Sequence, residues 1–372
     1  MEKKGGSSTN NQLEFEGKED RISDLPDSLI ELILSFLPST KQAIQTGILS
    51  KRWQNQWTSV PVLIFYSSDN YSGDFGTFID KTLTLHDCPK IKKFHIEKYF
   101  SDYELNLASK IHFATRKYVE ELIVDYVPYN AYDEENAYKL PKFLYNNAFL
   151  VKLELTNCYF NRKWRVNWPS LKQLKLKSFV LPFAAIQKAI SGSPALESLE
   201  LINFNAVKGD AIVSKSLKRL SFVDVNCDDD TDHIEILCPN LEEFSVKALF
   251  FVNTNLTRQT MENVLFGCPL LRSLELSGFE YDDEFVIASN SLKKLVIGEN
   301  DSTGVIEILC PNLEELKYYA TDFVYLKVVN LPSSVFATLD FTSCCFESVT
   351  RQILEQFQHV KKLKVEEDED EF

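Results

Sequence analysis

The sequence predicts an α/β chain in two parts: a short module of three helices, then a long repeat solenoid. The solenoid's curved parallel β-sheet would carry helices or irregular segments on its convex side. Three observations predict this. The string I-E-I-L-C-P-N-L-E-E occurs twice, from Ile234 to Glu243 and from Ile306 to Glu315. A shorter pattern, L-x-x-L-x-L, returns along most of the chain, as in Leu196-Glu-Ser-Leu-Glu-Leu201 and Leu271-Arg-Ser-Leu-Glu-Leu276. Its last two apolar positions alternate as in a strand with one face turned inward. The stretch from Arg21 to Trp57 lacks that pattern and is dense in apolar residues at helical spacing.

Size and composition fit such a chain. With 372 residues, 44% of them hydrophobic, it can bury a large core. A single compact domain seldom grows this long, whereas each repeat of a solenoid touches only its neighbours. The net charge of −14 argues against nucleic acid or an anionic membrane as partner. The polar start offers no signal peptide, and no stretch approaches the roughly 18 apolar residues of a membrane span. The chain is therefore expected in the nucleus, the cytoplasm or both, with its eight cysteines as reduced thiols.

Residues 1–20 read as a disordered tail, and the helical module as residues 21–60. The first helix opens near Pro26-Asp27 and ends before Pro38. Ser39 with Gln42 makes a capping box for the second. The third carries Leu49, Trp53 and Trp57 on one stripe. In the first helix Leu29, Ile33, Phe36 and Leu37 are expected on one face; Ile30, Leu34 and Leu32 widen the apolar belt. Three short helices cannot cover so wide a belt, and each side chain left wet forgoes roughly 1.5–3 kcal/mol of burial. Either the repeats dock on it, making the module part of a plain protein-interaction scaffold, or a foreign partner covers it.

The order of residues here, L-P-x-x-L-x-x-x-I-L-x-F-L-P and then A-I-x-T-x-I-L-S-K-R-W, resembles an F-box of the plant type. The resemblance covers about 40 residues and implies docking to the Skp-type adaptor, and through it the cullin, of an SCF ubiquitin ligase. It assigns the contact set to Leu25, Pro26, Leu29, Ile33, Leu34, Leu37, Ile44, Leu49 and Trp53. Gly47 stands where such boxes hold a small polar residue.

From Val62 the chain enters strand, with a loop over 67–76 and helical spacing from Phe78 to Leu85. Repeat units then begin at Ile91, Val119, Leu150, Leu171, Leu196, Leu217, Leu241, Leu271, Leu292, Leu313, Phe336 and Val360, spaced by 21 to 31 residues. That range is the period of leucine-rich repeats, and the solenoid is read over 61–365. Prolines before many units, often as Cys-Pro, stop one segment and send the chain extended into the next. Recurrence a whole repeat apart makes these cysteines interior turn residues rather than metal ligands. The acidic run Asp228–Asp232 reads as a solvated loop and 366–372 as a disordered acidic tail. The C-terminal FBD domain found in many plant F-box/leucine-rich proteins is not expected here.

Outward strand positions, where a solenoid meets its protein target, carry both charge signs. The densest basic set, Arg162, Lys163 and Arg165 with Lys172, Lys175 and Lys177, is suited to an acidic peptide or a phosphate. No glycine-rich phosphate loop or hydrolase motif occurs, and no partner residue is expected beside His95. No catalysis and no cofactor are therefore expected. The module would hold the ligase adaptor while the repeats hold a target protein.

Overall fold

The computed structural model describes residues 25–68, 74–99, 105–128, 137–161, 163–179, 183–206, 211–227, 235–247, 254–255, 258–280, 284–298, 304–321, 324–342 and 347–366. The expected N-terminal tail, the run Asp228–Asp232 and all of the acidic tail but Glu366 lie outside the described residues.

The module begins with α1 (Asp27–Ser35) and α2 (Thr40–Gln45). Ser39 caps α2, its side chain accepting from the Gln42 N–H at 3.5 Å. The expected third helix is instead two 3-10 segments, Thr46–Ile48 and Trp53–Ser59. Gly47 thus lies past α2 and costs it nothing. A Cβ there would stand 3.2 Å from the Gln54 Cα, so glycine lets the two segments close on each other.

Thirteen parallel strands follow in chain order as one sheet. They are β1 (Val62–Phe65), β2 (Lys93–Tyr99), β3 (Glu121–Val127), β4 (Lys152–Thr156), β5 (Gln173–Phe179), β6 (Ser198–Ala206) and β7 (Arg219–Cys227), then β8 (Glu243–Lys247), β9 (Ser273–Ser277), β10 (Lys294–Ile297), β11 (Glu315–Tyr319), β12 (Phe336–Asp340) and β13 (Lys362–Glu366). Nearly every strand starts two residues into its repeat unit. The fourth and sixth positions then point inward, as Leu153 and Leu155 or Leu274 and Leu276 do, all buried. β12 departs from the expected phase. Phe336 pairs with Glu315 and faces outward, so that unit begins at Ser334 and its inward residues are Ala337 and Leu339. The sheet also takes in Glu366, one residue beyond the expected boundary.

Behind the sheet lie α3 (Phe75–Leu85), α4 (Leu107–Arg116), a 3-10 turn at Lys142–Tyr145, α5 (Phe183–Ser191), α6 (Arg258–Gly267) and α7 (Glu347–Gln356), interspersed with short strands. One continuous core fills the space between the layers.

The duplicated decapeptide does the same work in both copies. Ile236 and Ile308 sit in rear strands, and Leu241 and Leu313 fill the core. The Cys238 and Cys310 thiols donate to the Ile212 and Ile287 carbonyls of the preceding repeat, at 3.6 and 3.5 Å. Asn240 and Asn312 amides reach back to the Lys215 and Asn290 carbonyls, at 2.7 and 2.9 Å. Burial pushes the Cys238 thiol up to about 12 and Cys310 to about 11, as expected of interior cysteines. Cys344 and Cys345 lie outside the described residues.

Module and array meet through specific bonds. The buried Thr40 hydroxyl accepts the Ile64 N–H of β1 at 2.7 Å. The Thr58 carbonyl receives the Asp87 and Cys88 N–H groups. The module is thereby the cap of the first strand.

Candidate protein-docking surfaces

The module has its own small core, separate from that of the repeats: Ile30, Leu34, Ala43, Trp53, Trp57 and Val60. Ile30 and Leu34 are one helical turn apart, so the inward stripe of α1 is the 30/34 face. Residues on the other sides of α1 turn to water: Leu29 is 44% exposed, Ile33 42% and Phe36 78%. Leu32, Ile48 and Leu49 are exposed as well. Arg52 staples the end of this patch to α1 through Asp27, with a 2.7 Å ion pair.

The residues expected to touch an adaptor therefore fall into three groups. Pro26, Leu29, Ile33 and Leu49 are exposed; Leu25, Leu37 and Ile44 are half-buried against the module's core. Leu34 and Trp53 are interior, which corrects their assignment as surface contacts: they shape the patch from below. Leu37 also leaves the expected face, because it packs inward while Leu32 points out.

The second surface is the open face of the long sheet. Its register aligns outward residues into rows, one of which runs Glu154, Lys175, Glu200, Ser221, Ser245, Glu275. Several of its charges are matched across neighbouring strands: Lys175 with Glu200 at 3.1 Å, Lys247 with Glu275 at 2.9 Å and Lys294 with Glu315 at 2.9 Å. The basic set is not brought together. Lys175 and Lys177 lie on the open face, but Lys163 and Arg165 belong to a rear loop whose Trp164 packs on Tyr145. Lys172 is exposed in the approach to β5, and Arg162 lies outside the described residues.

His95 does have a partner, contrary to the sequence reading. Asp125, one strand over and two residues along, accepts from its Nε2 at 2.7 Å and from the Thr156 hydroxyl at 2.6 Å. The Tyr66 ring stands edge-on to the imidazole with centroids 5.0 Å apart. Burial pushes Asp125 up, but the His95 and Thr156 hydrogen bonds outweigh it and hold the carboxyl below its usual range. The group orders the open face next to the module. Its signal was available only from strand register.

Comparison with known proteins finds matches to both parts of the chain. The F-box domain model matches residues 22–65, and a model of the LRR repeats of FBD-associated F-box protein At5g56370 matches 107–249. The chain is 34% identical to F-box/LRR-repeat protein 25 of Arabidopsis thaliana over 49% of its own length and 67% of the relative's. It is 27% identical to F-box/LRR-repeat protein At3g03360 of the same plant over 93% and 70% of the respective lengths. With F-box/LRR-repeat protein At5g02910 it shares 37% identity over 49% of the chain, a stretch that spans only 38% of that relative. A helical module that leads into an array of leucine-rich strands accords with the F-box and LRR repeats in these relatives' names, and the chain belongs to the F-box/LRR-repeat protein family.

Proposed function

We propose that this chain is the substrate-recognition subunit of an SCF-type ubiquitin ligase. The module docks the Skp-type adaptor, and through it the cullin, while the open face of the sheet holds a target protein. The supporting observation is the exposure of Leu29, Ile33 and, just past the helix, Phe36 in the folded chain, while the 30/34 face of α1 is already buried. A foreign apolar surface that covers them gains roughly 1.5–3 kcal/mol for each large side chain fully removed from water. Catalysis is proximity: tethering raises the target's effective concentration near the charged ubiquitin carrier.

The test is binding of the purified chain to a Skp-type adaptor by calorimetry. Leu29→Glu with Ile33→Glu is expected to abolish it while leaving circular dichroism and unfolding midpoint unchanged. Undiminished binding by a folded double variant overturns the reading. The bond from Ile64 to Thr40 favours a second role for the same module, as structural cap of the array. The two roles use different residues, Thr40 of α2 and the exposed side chains of α1, and are compatible.

A further inference from the structure

Tyr118 and Phe149 each stand just before the first apolar residue of a repeat unit, Val119 and Leu150. In most other units that place is small or polar, as with Ser170, Ala195, Ser216, Asn240, Ser291 and Asn312, so repeat packing does not require a ring there. The backbone at Tyr118 opposes one. Past the end of α4 the Tyr118 N–H donates to the Thr115 carbonyl and the Val119 N–H to the Ala114 carbonyl, both at 3.2 Å. This is the helix ending whose left-handed residue is usually glycine, yet it is Tyr118 that takes φ 54°. Its ring stands edge-on to Phe149 with centroids 4.8 Å apart, and the two remain 50% and 48% exposed. Strain kept at an exposed aromatic pair points to function.

A second contact joins the same two segments: the His112 and Phe143 rings lie 5.1 Å apart, again edge to face, so the four side chains line one strip. Residues 107–118 and 142–149 contain no acid, although the chain as a whole carries a net charge of −14. They supply Lys110, Arg116, Lys117 and Lys142. Lys110 is buried against Asp80, and the Lys117 ammonium donates to the Cys88 carbonyl at 3.0 Å. Arg116 and Lys142 are exposed and have no ion pair among the described residues. Glu120, two residues past Tyr118, is held by Lys90.

We infer that this strip is a further docking surface, separate from α1 and from the open face, and that it takes an acidic peptide segment bearing apolar side chains. Aromatic anchors ringed by charge are the usual core of a peptide contact, and the unmatched cations select carboxylates. A nucleic acid fits less well, because base stacking needs an open ring face and each ring here is set against another.

The test is selection of phage-displayed random peptides on the full-length chain, with the enriched sequence then titrated as a fluorescein-labelled peptide by anisotropy. An acidic sequence with aromatic or leucine residues is expected, its affinity falling as salt rises. Tyr118→Gly is expected to weaken it roughly tenfold or more without lowering the unfolding midpoint, since glycine suits the backbone there. Phe149→Ser, the residue found before Leu171, Leu217 and Leu292, and Arg116→Glu are expected to weaken it as well. Leu29→Glu with Ile33→Glu should leave it unchanged. Enrichment of no acidic sequence overturns the inference, as does a peptide that binds folded Tyr118→Gly and Phe149→Ser undiminished. Displacement of the peptide by oligo(dT) at comparable concentration would overturn it in favour of a nucleic-acid site.

Discussion

At the scale of single residues, the junction histidine carries a pH dependence. His86 donates from Nε2 to the Val60 carbonyl at 2.9 Å, and its Nδ1 is buried without a partner. Burial, and to a lesser degree the nearby Lys117 charge, holds its pKa below the usual 6.5. The unfolded imidazole takes up a proton first as pH falls, so stability is full above about 6.5 and declines from there toward the folded pKa. The urea midpoint is expected to be lower at about pH 5.5 than at about pH 7.5, and His86→Gln to flatten that slope. Asp125 acts lower on the scale. Its depressed pKa adds stability above the ordinary carboxylate range, lost only as pH falls through the folded value. Asp125→Asn weakens the bonds from His95 and Thr156 at a site one-third open to water. The expected loss is about 1 kcal/mol by denaturant unfolding at neutral pH.

At the scale of elements, the two sides of α1 are predicted to behave oppositely. Ile30→Ala, which empties a fully buried position, is expected to cost about 2–5 kcal/mol. Leu29→Ala, at an exposed one, is expected to stay within about 0.5 kcal/mol while weakening adaptor binding. Unfolding and binding measured on the same pair of variants check both. The sequence alone could not choose between these sides, because apolar residues run almost continuously from Leu29 to Leu37 and a wheel so uniformly greasy has no preferred orientation. The repeat strands were legible for the converse reason. Strict alternation of Leu with charge allows one inward face, and a shift by one residue would bury the charges. Phe336 misled through its bulk: a phenylalanine imitates a core position, while the true unit opens on the plain Ser334. The His95–Asp125 pair and the splitting of the basic set were illegible because both depend on which residues adjoin across strands. Spacing along the chain does not state that.

At the scale of the whole molecule, the small core of the module and the long core of the array are distinct, yet they share the bond between Thr40 and Ile64. Thr40→Val keeps the shape and removes the acceptor, leaving the Ile64 N–H buried and unpaired at a cost of about 1–3 kcal/mol. Because each repeat touches only its neighbours, the loss should not spread evenly. Amide hydrogen exchange read by mass spectrometry is expected to speed up in α1, α2 and β1, to change little in β2 and to be unaltered from β4 onward. A uniform loss of protection along the array would mean that module and repeats unfold as one unit, and that the cap governs the stability of strands it never touches. Loss confined to the module would leave the open face of the sheet intact when the helical module loosens. The two surfaces would then be independent in stability and joined only by the geometry that sets their separation.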